Sequence, residues 1–439
     1  MRNIHFIILM VSIIFAITGC GNNEAPVNND ENVSGTVRDN IVVVHDKSEL
    51  VSEYYGKPGS EEEGKHILIF KKNMHDFKKG TVIVFDRIDT NTLKHGLLRK
   101  VESVAENNNT IKIVSSQAAL DDVFSDLTLS YSGTLAPGPI LKTVEENLGN
   151  SEPIRILSQE KGVKLYANSH SIATSSDSNI TGDGYGSKLK KDFTLDVNVD
   201  MGHGVSLSGS IAFSLNYHMH IKFKRECTKR GRYTHICHKY KTYLDDTYFY
   251  IEPEEKGSLT LSAEDDISLN KGKTLGSYSF PPIDLQVGIV PVILVPKLTI
   301  KVNAEGKLTA GLSTGFKEDI TAKAGLKYKK KKSKWYPIKS KKITFTSIPP
   351  TFDASATAKL SVGPELEMKI YDVTGPVANL DAYLRADVDI DANPWWKLYV
   401  GIESDATFHM RIVHHTYADI TLHIFNYEED LAKAKGEFE

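Results

Sequence analysis

The chain has 439 residues, 53 Lys+Arg against 56 Asp+Glu, and three cysteines; a formal net charge of −3 excludes a nucleic-acid binder that works through overall charge. Hydrophobic residues at 40 % and charged residues at 25 % exclude a disordered or collagen-like chain. Beyond the first twenty residues no apolar run is long enough for a transmembrane helix.

Residues 1–19 carry Arg2 and then an apolar run from Ile4 to Ile17, broken by His5 and Ser12. A positive charge before a short apolar segment is the pattern of a secretion signal. The run ends Ile17-Thr18-Gly19-Cys20, which resembles the bacterial lipobox. The resemblance implies cleavage behind Gly19, acylation of Cys20 and attachment to a membrane through two or three acyl chains. Residues 20–40 are polar and rich in Asn, with Gly and Pro, and read as a flexible tether.

Strand signals start at Ile41–Val44 and recur at His66–Phe70, Thr81–Phe85, Leu97–Val104, Thr110–Val114 and Leu127–Leu135. One short helix is expected over Gln117–Phe124, with Asp121 and Asp122 on its outer side. Residues 41–167 thus read as a small β-rich, barrel-like domain. The Ser/Gly-rich stretch 168–187 reads as a linker or long loop, and 188–439 as an elongated antiparallel β domain. From Val205 to Phe223 every odd position is apolar or Gly, a period-two run far beyond the usual strand of about 5–6 residues. The pattern returns on even positions in Val302–Tyr328, Phe352–Ile370, Leu380–Ala392 and Trp396–Ile412, with Ala354, Ala356, Ala358, Ala382 and Ala386 in the inner rows. Long strands with one apolar face need a second layer or closure. The expected fold is mainly β: a small barrel-like domain, then an elongated antiparallel sandwich or flattened barrel.

The stretches 288–316 (GIVPVILVPKLTIKVNAEGKLTAGLSTGF) and 362–405 (VGPELEMKIYDVTGPVANLDAYLRADVDIDANPWWKLYVGIESD) resemble a module of uncharacterised secreted bacterial proteins. Residues 96–124 (GLLRKVESVAENNNTIKIVSSQAALDDVF) resemble the domain that accompanies it. The resemblance supports the division into two parts and carries no activity.

With Cys20 assigned to lipid, Cys227 and Cys237 flank a turn in an oxidising location, and a disulfide stapling two strands is expected. The rival is a metal held by Cys227, His235, Cys237 and His238; it lacks a CxxC knuckle, and neighbours 237 and 238 point to opposite faces of a strand. His218 and His220 share the polar face of the long strand, and His414, His415 and His423 lie near the end of the chain; both sets read as solvent-facing sheet residues. Asp387, Asp389 and Asp391 are expected to project from one strand face, without the glycine turn of a calcium loop. At Pro394-Trp395-Trp396, Trp396 keeps the inward register and Trp395 is the one expected to be exposed.

Nine lysines fall in Lys327–Lys342 (Lys327, Lys329, Lys330, Lys331, Lys332, Lys334, Lys339, Lys341 and Lys342), interrupted by Trp335 and Tyr336. The run reads as a basic hairpin. It suits an anionic polymer, phospholipid headgroups or an anionic glycan with the aromatics stacking on sugar, and equally a solubilising loop that blocks edge pairing. Gly-x-Ser-x-Gly, His-Glu-x-x-His and a dinucleotide fingerprint are absent, and Gly272-Lys273-Thr274 lacks the first P-loop glycine, since position 267 is Ile. The expectation is a lipid-anchored, extracytoplasmic protein of the bacterial cell envelope that binds or displays without catalysis. It needs no cofactor or metal, and its partners are the membrane and an envelope polymer, glycan, lipid or surface protein, with no nucleic acid. The alternatives are a carrier of a lipid or other apolar ligand inside the curved sheet, and a membrane-inserting barrel whose strands are about twice the ~9–11 residues a crossing needs.

Overall fold

The computed structural model describes residues 31–88, 95–135, 155–160, 163–167, 193–230, 236–351, 355–371, 373, 375–410 and 417–435. Cys20 and the 168–187 linker lie outside them. The first strand, β1 (Asn32–Val37), falls within the expected tether. Its side chains are mostly exposed, and what holds it is backbone pairing with β8 (Phe124–Thr134), so a polar composition did not prevent strand formation.

A six-stranded sheet follows, made of β2 (Ile41–Val44), β3 (Leu50–Tyr55), β4 (His66–Lys71), β5 (Val82–Phe85), β6 (Leu97–Glu106) and β7 (Thr110–Gln117). Its order is β2-β5-β6-β7-β4-β3, antiparallel except for β2–β5, and its two end strands do not pair. Alternation sorts its faces. Phe70, Ile83, Phe85, Val101 and Ile113 enclose a core of their own, while Val82, Val84 and Leu98 join the main core. The small sheet therefore ends at Gln117, well before the expected boundary at 167.

The expected helix is a single turn, α1 (Leu120–Val123), with Asp121 and Asp122 buried instead of outward. Asp122 earns its position by accepting from the Ala119 amide at 3.0 Å and from Lys100 Nζ at 2.7 Å.

The rest is a sandwich of two large sheets. The first contains β8, β9 (Arg155–Glu160), β10 (Val163–Ala167), β11 (Phe193–Gly202), β12 (Val205–Arg230), β13 (Cys237–Leu244) and β14 (Thr247–Ala263). The second starts with β15 (Ile267–Ser279), β16 (Ile283–Val287) and β17 (Val290–Leu308). The chain then crosses back to the first sheet for β18 (Ser313–Lys329) and β19 (Lys334–Thr351). It finishes in the second with β20 (Ala356–Ile370), β21 (Gly375–Asn379), β22 (Asp381–Val388), β23 (Trp396–Met410) and β24 (Tyr417–Lys433). The expected run Val302–Tyr328 is thus two strands in different sheets, separated at Thr309–Leu312, where Gly311 takes φ 79°.

β12 is the spine. Its 26 residues span roughly 85 Å at ~3.3 Å each, with β11 and β8 along one side and β14 and β13 along the other. Its odd positions from Val205 to Phe223 face inward, Gly209 included, as the alternation requires, and they merge with the even rows of β17, β18, β20 and β22 into one continuous core. Small residues line the facing sheet at Ala358, Ala378, Ala382 and Ala386, all buried. A mainly β, elongated sandwich carrying a small β-sheet is the fold.

Candidate anion-binding end

Two hairpins of the first sheet, β12–β13 and β18–β19, project from the same end. Thr247, which opens β14, pairs with Tyr328 near the end of β18, and the β12–β13 ladder starts beside it at Phe223–Leu244. Beyond that line extend the tip of β12–β13 and the turn between β18 and β19. The β18–β19 turn is built by Lys330–Lys332 in a 3-10 turn, closed by Ser333 in the left-handed region at φ 48°. Lys329, Lys331, Lys332 and Lys334 are exposed there.

Lys330 reaches across to the other hairpin. Its Nζ lies 2.7 Å from Glu226 Oε1 and 5.6 Å from the centre of the Tyr243 ring. The hydrogen bond to Glu226 holds the Lys330 ammonium above its ordinary pKa. Tyr336 lies under Lys329 and Lys332, 5.9 and 5.8 Å from its ring centre. These contacts fix the turn against its neighbour and leave its other ammonium groups in water.

The expected basic run does not stay together. Lys339 and Lys342 lie farther along β19, an edge strand paired on one side by β18, where exposed lysines discourage pairing with another sheet. Lys341 is placed over the Tyr427 ring, and burial lowers its pKa. Lys327 is half-buried opposite Tyr336. Trp335 turns inward, 5.3 Å from Tyr328 and 4.7 Å from Phe408 between ring centres, so it is withdrawn from any sugar-stacking role.

A second set of cations, read in the sequence only as the surroundings of a disulfide, shares this end. Lys224, Arg225, Lys229, Arg230, Lys239 and Lys241 are all exposed on β12–β13. The Arg225 guanidinium stacks 4.2 Å over Tyr240. The expected bond between Cys227 and Cys237 is formed, with Cα atoms 5.8 Å apart, and excludes both thiols from metal binding. The signal was in the sequence, since Lys-Arg-Glu-Cys-Thr-Lys-Arg holds four cations in seven residues; what was missing was the register that sets it beside the lysine turn.

The other candidates resolve as sheet chemistry. His218 and His220 stack on Tyr250 and Tyr248 at 4.5 and 5.2 Å, and bond with the hydroxyls of Ser132 and Ser130. Burial, then Lys222, lowers the pKa of His220. His423 pairs with Asp405, whereas His235, His414 and His415 lie outside the described residues. Among the described residues no group of three metal-ligating side chains converges. β22 ends at Val388, so Asp389 and Asp391 sit in a turn instead of sharing a face with Asp387, which pairs with Arg385 at 2.7 Å. Trp395 and Trp396 are both half-buried and meet edge to face, so neither stands out as an exposed contact.

One feature of the interior had no sequence forewarning beyond its register. Glu255 and Glu318 occupy inward positions of β14 and β18 and are 2 % and 4 % exposed. Glu255 pairs with Ile320 and Glu318 with Gly257, which makes the two acids diagonal neighbours on the inner face.

The fold and this end define an elongated β-sandwich with an electropositive pair of hairpin tips. Compared with known protein families, with curated proteins and with solved structures, the chain matches none.

Proposed function

We propose that the chain is a lipoprotein of the bacterial cell envelope, anchored through acylated Cys20 on the extracytoplasmic side, that acts by binding or structural display without catalysis. The observation that carries the reading is the order Ile17-Thr18-Gly19-Cys20 at the end of a short apolar run. The Cys227–Cys237 bond fits an oxidising compartment and leaves Cys20 as the one cysteine outside it. No helix among the described residues is long and apolar enough to cross a membrane. Display is favoured over an apolar-ligand carrier because the inward rows of both large sheets form one contiguous cluster of buried side chains. The surface hollow beside β7, lined by Lys72, Glu106 and Asn107–Thr110, is polar, and none of its lining residues belongs to that cluster.

The test is metabolic labelling with a tagged fatty acid in a bacterial host. The wild-type chain is expected to take up label and Cys20→Ser to take up none. A secreted, processed wild-type chain without label overturns the anchor.

A further inference from the structure

We propose that the β12–β13 tip and the β18–β19 turn act together as a docking face for an anionic phospholipid surface. The hairpins bring eleven cations to one end: Lys224, Arg225, Lys229, Arg230, Lys239 and Lys241 on one, and Lys329–Lys332 and Lys334 on the other. Against them stand Glu226, already paired with Lys330, and Asp245 and Asp246 at the β13–β14 turn, of which Asp245 faces Lys222 at 3.8 Å. From Ile320 to Phe352 the sequence contains no acidic residue. Such a cluster in a chain of net charge −3 is a local field, and a screened one acts only on a surface brought within about 10 Å.

Three observations select a lipid surface over a soluble polyanion. The cations sit on two protruding tips instead of lining a groove that would track a polymer. Ile236, 62 % exposed, and Tyr240, 47 % exposed, stand among them, an aliphatic and an aromatic side chain of the kind that enters the headgroup region. The chain length before the fold also fits. β1 begins at Asn32, paired with Ser130, which is itself paired with His220. From His220 to Arg230 is about 33 Å along β12, and the twelve residues from Cys20 to Asn32 reach about 40 Å when extended. β1 runs from Asn32 towards the tips, so the preceding segment leaves in the opposite direction; turned back along the sandwich, its extended length matches the span that lets the tips rest on the leaflet of an anchor at Cys20. The disulfide and the Glu226–Lys330 pair hold the two tips as one face.

Only the argument from reach rests on the anchored reading, and the assay removes the acyl chain so that the two stand or fall separately. The chain from Gly21 onward, which retains every described residue, is sedimented with vesicles of phosphatidylcholine containing phosphatidylglycerol and with phosphatidylcholine alone. Partition is expected onto the anionic vesicles only, weakening steeply as salt is raised from about 0.1 M to about 0.5 M. The variant K329S/K331S/K332S/K334S is expected to lose on the order of 100- to 1000-fold in partition, and K229S/R230S/K239S/K241S a similar factor. Both sets are exposed, and an unchanged melting temperature checks their folding; the salt series tests the face without any substitution. Equal binding to neutral vesicles, or a second set that leaves partition unchanged, overturns the joint face. Tight binding to a soluble anionic polysaccharide with no vesicle partition also overturns it, in favour of a polymer.

Discussion

Trp335 and Phe408 meet across the gap between the two large sheets, ring centroids 4.7 Å apart and planes tilted by 41°. Trp335 belongs to β19, the edge of the first sheet, and Phe408 is fully buried on β23 of the second. Farther along β19 Lys341 covers the Tyr427 ring of β24, and among the described residues side chains, with no hydrogen-bonded ladder, join β19 to the second sheet here. Trp335→Ala is expected to cost about 2–4 kcal/mol, about 1 kcal/mol less than truncating a fully buried large aromatic, because the ring is half-buried. Trp335→Phe is expected to keep most of that. The measurement is the midpoint of denaturant unfolding at constant slope. A Trp335→Ala midpoint equal to that of the wild type would show that the seam is held elsewhere.

The seam also marks where the sequence stops being informative. Alternation at Val205–Phe223 located β12 and its buried face, because a side-chain period of two is a local property. The same alternation ran through Thr309–Leu312 and so hid the crossing between sheets, since inward rows of both sheets look alike in one dimension. β1 escaped notice because its stabilising bonds are backbone bonds to β8, about ninety residues away. The lysine turn was visible as composition, and its disulfide neighbour as spacing. Their union at one end depends on Thr247 pairing with Tyr328, a long-range register that no local pattern encodes.

The seat of the small sheet rests on Gly96. At φ 69° it has the left-handed backbone that glycine adopts without cost, and a Cβ there would lie 2.3 Å from Ile293 Cδ1, 2.9 Å from the Phe85 carbonyl oxygen and 3.1 Å from Tyr371 Cδ1. Tyr371 is buried, itself at φ 52°, and its hydroxyl donates to the Pro291 carbonyl. The turn into β6 therefore packs directly on the start of β17. Gly96→Ala is expected to destabilise by about 2–4 kcal/mol, combining backbone strain with overpacking. Gly80→Ala supplies the control: at φ 90° with nothing within 4 Å of a new Cβ, it is expected to cost only the strain, about 1 kcal/mol. Equal losses for the two variants would mean that the Ile293–Tyr371 contact adjusts freely.

Glu318 gives the fold a pH dependence of defined sign. Burial pushes its carboxyl up to about 8, and neither carboxyl oxygen has a hydrogen-bond partner among the described residues. Inward on its own sheet the diagonal neighbour is Glu255, another acid. In the unfolded chain the group titrates near the ordinary value of about 4.3. Below that pH both states are protonated and the acid costs nothing. As pH rises towards about 8 the unfolded state loses the proton while the folded state keeps it, so stability falls through that window and levels off above it. At pH 7 the loss amounts to on the order of 3–4 kcal/mol. Asp381, raised to about 6 chiefly by burial, adds a smaller loss of the same sign over a narrower window. Glu318→Gln keeps the shape and removes the titration. It is expected to raise the unfolding free energy at pH 7 to 8, to leave it nearly unchanged near pH 4, and to flatten the profile down to the Asp381 contribution. Denaturant unfolding of both proteins from pH 4 to 9 measures this; parallel profiles would mean that Glu318 is ionised in the folded state with a partner beyond the described residues.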